Sequence, residues 1–245
     1  LDRTQRTVSG NIQRLSSGLR ITKAADDAAG LAISEQLKGV VRGFAQANRN
    51  GLDGISMIQV AEGALNEVHA ALLRMRELGI QAANGTQTAS TRTHIDAEYQ
   101  ALRTEIDQIT NATNFNGIKL LNTSQEFKFQ VGAYALTAEN QISVSILDMN
   151  TSALGGSVAG AGGATTLAGT TVSTMTAALN AVSSLDQAIT DVSTQRGKIG
   201  AAQNRLTFAI DNLTSARENL LGANSRIRDV DVATETSEFS RNQIL

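Results

Sequence analysis

The chain has 245 residues, enough to bury a substantial core as one large domain or two small ones. Its 21 basic and 23 acidic residues give a net charge of −2, and only 3% of residues are aromatic, which disfavours a nucleic-acid-binding surface. The sequence has no Cys, which excludes disulfides and thiolate metal sites, and no run of about 18 apolar residues, so we expect no membrane insertion.

Proline and tryptophan are also absent. Proline is the main interruption of helix interiors, and aromatic side chains supply the large buried blocks of compact cores. This composition is therefore typical of a thin helical assembly, in which small and aliphatic side chains fill narrow seams.

The first segment carries apolar residues at helical spacing: Leu1, Val8, Ile12, Leu15 and Leu19. Asp26 and Asp27 follow, ahead of the next helix. Paired carboxylates can bind a metal or serve acid–base chemistry, but no His, Cys or third carboxylate adjoins them. We interpret the pair as charges that favour the positive end of the following helix dipole.

The next stretch predicts a long coiled-coil-like helix of roughly 70 Å, because apolar or small residues recur at intervals of three and four. This α2 seam consists of Leu37, Val40, Phe44, Ala47, Gly51, Gly54, Ile58, Ala61, Leu65, Val68, Leu72, Met75, Gly79 and Ala82. Each glycine weakens a helix by up to about 1 kcal/mol relative to alanine. We interpret the three glycines as points of close helix packing, in preference to hinges.

After a polar break at 84–93, a shorter helix is predicted by the pattern Ile95, Tyr99, Leu102, Ile106 and Ile109. Between about 115 and 147 the hydrophobic period changes to two. Residues 127–131 and 142–146 alternate between apolar and polar side chains, which predicts two strands of a hairpin or small sheet. Asn116-Gly117 is a turn signal.

Residues 150–174 form a tract of Gly, Ala, Ser and Thr that we interpret as a low-complexity loop without a core of its own. Because the tract offers few apolar anchors, we expect deletion of 152–172 to leave the rest folded.

The C-terminal third has a second helical register: Val182, Leu185, Ile189, Val192, Arg196, Ile199, Gln203, Leu206, Ile210, Leu213, Arg217, Leu220, Asn224 and Ile227. Its polar members would fix the register at some cost in stability. The sequence thus predicts a mainly α fold, an elongated rod of long antiparallel coiled-coil-like helices with a small β-hairpin element.

Neither histidine fits a catalytic motif. His69 and His94 both lack the H-E-x-x-H pattern of zinc proteases, and no G-x-S-x-G nucleophile elbow occurs. His94 and Glu98 stand four residues apart, which favours a helix-surface pair over a metal site. We therefore expect no catalytic residues, no metal and no cofactor.

Two terminal blocks resemble the signatures of bacterial flagellin: residues 15–34, which begin Leu-Ser-Ser-Gly-Leu, and 225–231, Ser-Arg-Ile-Arg-Asp-Val-Asp, preceded by 200–206. The resemblance extends through 53–56, 61–65, 76–78, 81–86 and 115–117 and covers nearly everything outside 150–175. It implies a helical rod core at 29–228, flanked by stubs of a terminal coiled coil at 1–28 and 229–245. The variable outer region would be reduced to the tract around 150–175.

The same resemblance implies a structural subunit that polymerises into the extracellular flagellar filament for motility and is exported by the flagellar type III system. Implied partners are other flagellin subunits, the filament cap, hook-associated proteins and an export chaperone. The chain begins with Leu, and the outermost tips of the coiled coil are missing relative to the family pattern. We therefore expect it to be a fragment, monomeric at low concentration, with 1–20 and 232–245 cleavable by protease unless they pair.

The resemblance also implies a recognition site, since Arg74, Leu78 and Glu98 match the family positions contacted by the animal Toll-like receptor for flagellin. We expect these three side chains to form one exposed patch, because Arg74 and Leu78 lie outside the α2 seam. One alternative stays open for Leu78, as for Leu73 and Ile80, namely contact with a second neighbouring helix. The nearby Arg76 and Glu77 are interpreted as solvated charges. Two alternatives stay open for the function. One is a hook–filament junction protein of the same family, and the other is a flagellin-like cell-surface protein that binds, for example, a polysaccharide.

Overall fold

The computed structural model describes residues 2–134, 137–156 and 166–244 and is mainly helical. Its elements in chain order are α1 Asp2–Ser17, α2 Ala28–Ala83, α3 Ala89–Ala112, β1 Asn114–Phe115, β2 Ile118–Lys119, β3 Gln125–Gln130, α4 Thr137–Asn140, β4 Gln141–Ile146, a 3-10 turn Leu167–Gly169, α5 Met175–Arg228 and α6 Val232–Ile244. Two small antiparallel sheets pair β1 with β2 and β3 with β4, which confirms the predicted fold class. Within the described ranges, no helix is both long and apolar enough to cross a membrane.

The aspartate pair marks the start of α2, as predicted. Asp27 Oδ1 accepts a hydrogen bond from the backbone N–H of Gly30 at 2.9 Å, which satisfies one donor of the first helical turn. Asp26 closes the preceding turn, because its Oδ2 accepts from the backbone N–H groups of Lys23 and Thr22. These two backbone hydrogen bonds, Lys23 first, hold the pKa of Asp26 below its ordinary value.

The chain folds into two compact units, the first formed by 1–50, 130–140 and 208–245 and the second by 51–129 and 141–207. In the second unit the α2 seam is the core, and these seam residues are fully buried: Ile58, Ala61, Leu65, Val68, Leu72, Met75 and Ala82. From α3, Ile95, Tyr99 and Ile106 are buried as well. The predicted seam and the third helix are therefore confirmed.

On α5 the predicted register is half wrong. Leu185, Val192, Ile199 and Leu206 are buried as expected, but the alternate buried positions lie one residue earlier than predicted: Ala181, Ala188, Gln195 and Ala202. The prediction chose Val182 and Ile189 as buried positions because they are more hydrophobic than their neighbours. In the structure the adjacent Ala181 and Ala188 are buried instead, because a small side chain fits where neighbouring elements lie close. The buried polar residue is Gln195, not Arg196, and its Nε2 donates to the Ser145 carbonyl at 2.9 Å.

The seam glycines mark close packing, as predicted for Gly54 and Gly79. A Cβ on Gly54 would lie 2.8 Å from Cδ1 of Phe129, and a Cβ on Gly79 would lie 2.8 Å from Cγ2 of Val182. Both distances are shorter than van der Waals contact, so the glycines let neighbouring elements approach the backbone of α2. The helix runs unbroken through both positions.

We expect Gly54→Ala to destabilise the protein, although alanine is worth up to about 1 kcal/mol more than glycine in a helix interior. The added methyl group would displace the Phe129 ring, and overpacking typically costs about 1–3 kcal/mol. Gly63→Ala is the matched control, because no atom lies within 4 Å of the Cβ position of this exposed α2 glycine. Thermal unfolding should show Gly54→Ala below the wild type and Gly63→Ala at or above it. Equal midpoints for the two variants would contradict the packing role.

The β element also follows the predicted pattern. Asn116 and Gly117 join β1 to β2 with positive φ angles of 50° and 79°, the backbone typical of a two-residue hairpin turn. In β4, Ile142, Val144 and Ile146 are buried and alternate with exposed serines. Strand β4 of the β3–β4 sheet thus presents one apolar face to the core of the second unit.

The tract at 150–174 is not the unanchored loop that we expected, although its residues 157–165 lie outside the described ranges. Leu154, Leu167 and Val172 are each at most 1% exposed. Polar side chains of α3 bind the backbone of the tract: Asp96 Oδ1 accepts from Val172 N at 2.7 Å, and Arg103 Nη1 donates to Ala168 O at 2.7 Å. The expectation failed because composition does not reveal that a few well-placed anchors suffice.

The buried Tyr99 adds a further anchor to the same tract. Its hydroxyl forms a 2.7 Å hydrogen bond with Thr170 Oγ1, and burial raises the pKa of the phenol above its ordinary value. Asp107 accepts hydrogen bonds from the backbone N–H and the hydroxyl of Thr151, each at 2.8 Å. The described parts of the tract are therefore fastened along the length of α3.

Leu167→Ala should lower the free energy of unfolding by about 2–5 kcal/mol, because the change leaves a cavity at a fully buried position. Leu179→Ala, at a position that is 56% exposed, should have an effect of less than about 1 kcal/mol. Denaturant unfolding of both variants, monitored by circular dichroism, measures the two changes in the free energy of unfolding. Deletion of 152–172 should likewise lower the thermal midpoint by more than a few degrees, the opposite of the expectation from sequence.

In the first unit, the terminal helices α1 and α6 pack against each other. Among the described side chains of α1, Asn11 is buried, whereas Ile12 is 51% exposed. With its amide nitrogen turned toward Glu235, Asn11 donates to Glu235 Oε1 at 3.2 Å, and Arg14 Nη1 lies 3.8 Å from the same oxygen. From sequence we expected protease to cleave the two ends unless they pair with each other. Because α1 and α6 do pair, we expect the ends to resist cleavage.

Candidate functional site

Arg74 on α2 and Glu98 on α3 lie side by side, as required of the predicted patch. Arg74 Nε and Nη2 donate to Glu98 Oε1 at 3.0 and 2.8 Å, and Nη1 donates to Glu77 Oε2 at 3.0 Å. Hydrogen bonding to Glu98, and then to Glu77, raises the pKa of Arg74 further above its ordinary value. The side chains of Arg74 and Glu98 are 50% and 48% exposed, so a partner can reach both.

Leu78 does not belong to the exposed patch, and the expectation that it would is wrong. It is only 2% exposed and lies in the core of the second unit. Sequence periodicity placed it outside the α2 seam, and of the two interpretations left open for it, contact with a second neighbouring helix is the one that agrees with its burial. In the structure α2 also contacts α3, through the Arg74–Glu98 pair, and Leu78 is buried although it lies outside the seam. Leu78 can hold the surface in place but cannot be touched from outside.

We expect Leu78→Ala to lower the free energy of unfolding by about 2–5 kcal/mol, as for other buried leucines. Leu73→Ala is the matched control on the same helix, because Leu73 is 45% exposed and should lose less than about 1 kcal/mol. Urea unfolding of both variants measures the difference. A small effect of Leu78→Ala together with a large effect of Leu73→Ala would reverse the assignment of the buried face.

Glu77 was interpreted from sequence as a solvated charge, and Asp186 was not singled out. Glu77 completes the charge cluster of Arg74, and the spacing of three residues on one helix was the available signal. Arg76 Nε donates to Asp186 Oδ1 on α5 at 2.6 Å, which no sequence pattern could indicate, because the two residues are 110 positions apart. Arg76, which was interpreted from sequence as a solvated charge, therefore has an ion-pair partner in Asp186.

The histidines do not form a site with these charges. Glu98 pairs with Arg74, so the predicted His94–Glu98 surface pair is replaced by a contact between two helices. His69 Nδ1 is buried and has no hydrogen-bond partner. In the described part of the chain, His, Asp and Glu nowhere gather in groups of three or more that could hold a metal ion.

The arrangement is therefore an exposed cluster of charges on two adjacent helices. The model of the bacterial flagellin N-terminal helical region matches residues 1–126, and that of the C-terminal helical region matches residues 171–245. The chain belongs to the bacterial flagellin family. The two matches cover all of α1–α3 and all of α5 and α6, the elements that carry the surface and the paired ends.

Relatives agree with this membership. Flagellin of Bacillus subtilis (strain 168) is 50% identical over 167 residues, which cover 61% of this flagellin-family chain and 54% of that protein. Phase 1 flagellin of Salmonella naestved is 49% identical over 133 residues, which cover 54% of the chain and 26% of that protein. The chain thus spans about half or less of the curated relatives that it matches.

Solved structures show the same fold. The crystal structure of Bacillus cereus flagellin superposes with a TM-score of 0.57 at 30% identity, covering 72% of this flagellin-family chain and 94% of that one. A structure assigned to a flagellar hook-associated protein from Vibrio parahaemolyticus gives a TM-score of 0.66 at 15% identity, covering 83% and 100%. At 15% identity the likeness concerns the fold alone.

Proposed function

We propose that this chain is a structural subunit that polymerises into the bacterial flagellar filament and serves motility. The observation that carries the proposal is the match of both helical regions of the flagellin family, which together include α1, α2, α3, α5 and α6. The role is mechanical and needs no catalytic residue, so we propose that the protein is not an enzyme. The domain division expected from sequence, with a core at 29–228 between two coiled-coil stubs, belongs to the same proposal.

Assembly would proceed by contacts between different surfaces of neighbouring copies. Such heterologous contacts do not close into a ring when the rotation between copies does not match, and they then generate a helical polymer. Exposed apolar side chains on the long helices, including Leu52, Leu73, Ile80, Leu179 and Phe208, provide area that could be buried between copies. The cost of ordering terminal segments would be offset by this burial.

The proposal includes the partners and location implied by the family. These are other flagellin subunits, the filament cap, hook-associated proteins, an export chaperone and the flagellar type III export route to the cell exterior. The hook–filament junction alternative is weaker, because the named relatives at about 50% identity are flagellins, whereas the hook-associated structure shares 15% identity. No observation favours the polysaccharide-binding alternative.

We expect a strain that produces this chain as its sole flagellin to carry filaments along whose length an antibody to the chain binds. The measurement is immunogold electron microscopy together with a swimming assay, and the parent strain with its own flagellin is the control. Label confined to the base of filaments built from another flagellin would support the junction role. Export without any filament would contradict the proposal. The isolated chain should sediment as a monomer at low concentration.

We also propose that the surface formed by Arg74 and Glu98 is contacted by the animal Toll-like receptor for flagellin. Support comes from the resemblance at these positions and from their exposure on adjacent helices. Leu78, the third position, is buried, so its contribution would be to the packing of α2 within the core of the second unit. A substitution of Leu78 therefore tests folding first and recognition second.

Arg74→Ala should weaken receptor signalling strongly, since loss of a hot-spot arginine typically costs at least about 2 kcal/mol of binding. Glu98→Ala should act in the same direction, because it frees the Arg74 guanidinium from its fixed position. Lys128→Ala is the control, an exposed cation whose Nζ lies 3.5 Å from Glu126 Oε2 on β3. Reporter-cell dose responses are compared beside circular dichroism of each variant. Unchanged signalling in both Arg74→Ala and Glu98→Ala would refute this part of the proposal.

A further inference from the structure

A cleft of about 380 Å³ lies in the second unit, between α5 and the segment that follows β4. One wall is the segment 147–154, and the other is a stripe of α5 that consists of Asp191, Thr194, Gln195 and Lys198. Positions spaced by three and four residues share one face of a helix, so these four side chains line the cleft together. The volume is within the range of protein pockets that bind small molecules, about 300–1,000 Å³.

The wall formed by 147–154 is held in place and is mainly apolar on the side of the cleft. Met149 N donates to Leu121 O at 2.8 Å, and Leu154 N donates to Asn150 O at 3.1 Å. The side chains of Met149 and Leu154 line the cleft, and each residue is 1% exposed. A ligand would therefore meet an apolar surface that is already formed.

Gln195 brings an unsatisfied acceptor to the base of the cleft. The residue is 1% exposed, and its Nε2 donates to the Ser145 carbonyl. Its Oε1 is buried and has no hydrogen-bond partner among the residues that the structure describes. A buried amide oxygen without a donor is costly, and such atoms in folded proteins usually have a partner. A ligand that carries N–H groups would supply the missing donor.

Two carboxylates give the cleft a negative character. Asp191 Oδ1 accepts from Gln187 Nε2 at 2.9 Å. Asp148 accepts from the N and Nδ2 atoms of Asn150 at 3.0 and 3.2 Å, which fixes the direction of its carboxylate. A carboxylate has about four acceptor positions, so both can accept further hydrogen bonds. Lys198 also lines the cleft, but among the described residues it forms an ion pair with neither carboxylate.

We propose that the cleft binds an alkylammonium group, the –NH₃⁺ of a small aliphatic amine or of a lysine side chain. An ammonium group has three donors and no acceptor, which suits the Gln195 oxygen and the carboxylates of Asp148 and Asp191. Hydrogen bonds between ionised groups are the stronger kind. The alkyl stem would lie against Met149 and Leu154. The inference concerns the second unit alone and does not rest on the proposed filament role.

The first test uses the unaltered chain and two ligands of the same length. n-Hexylamine is the probe, and 1-hexanol has the same stem without the charge. In an NMR titration at neutral pH, hexylamine should shift the Gln195 side-chain amide and the Met149 methyl signals to saturation. Hexanol should bind about tenfold more weakly or less, because a hydrogen bond to a charged group is worth roughly that factor.

Three substitutions test the charges. Asp191→Asn keeps the shape of the side chain and should weaken hexylamine binding about tenfold. Lys198→Ala should strengthen binding, because it removes a like charge from the cleft. Lys128→Ala removes an exposed cation on β3 and is the matched control, with hexylamine binding as in the wild type. Circular dichroism of each variant checks that the fold is kept.

A further comparison separates the two sources of the ammonium group. Nα-acetyl-lysine amide has the same stem as n-butylamine. Tighter binding of the lysine derivative would support a lysine side chain as the ligand, and equal or weaker binding would support a free amine.

Equal affinity for hexylamine and hexanol would overturn the inference, as would unchanged hexylamine binding in a folded Asp191→Asn variant. Signal changes confined to residues outside the cleft would overturn it as well. The ligand comparison needs no substitution, so it decides the question even if a variant folds poorly.

Discussion

The long helices of the second unit approach each other closely, because their shared core is built from small and aliphatic side chains. With 3% aromatic residues, the chain cannot fill wide spaces with rings, so burial requires short distances between backbones. Gly79 shows the constraint directly, since a Cβ at this position of α2 would lie 2.8 Å from Cγ2 of Val182 on α5. The same constraint explains why the buried face of α5 carries alanines, Ala181, Ala188 and Ala202, between its larger apolar residues.

Close packing leaves the polar face of α3 to organise the irregular part of the chain. Backbone N–H and carbonyl groups that become buried need partners, and a tract without regular structure cannot supply them itself. Asp96, Arg103 and Asp107 provide these partners. The tract was misjudged from sequence because Gly, Ala, Ser and Thr dominate its composition, while Leu154, Leu167 and Val172 do the anchoring.

The candidate surface could be predicted only in part. The resemblance to flagellin selected Arg74 and Glu98, and the structure joins them through two hydrogen bonds to one carboxylate oxygen. It buries Leu78 instead, because α2 has more than one neighbouring element, and periodicity along one helix does not reveal how many neighbours that helix has. A charged pair fixed on two packed helices is held more rigidly than one on a loop, which suits recognition by a protein.

The sequence by itself determined the long helices, the two longer strands β3 and β4 and the β-turn at Asn116-Gly117. These features depend on local spacing, on the absence of proline and on backbone preferences of single residues. Only the tertiary structure decided which stripe of α5 is buried, how α3 holds the tract and that residues 18–20 pair with 228–230. These features join residues far apart in sequence through shape and hydrogen-bond geometry, and no local pattern records which distant backbone will supply the missing partner.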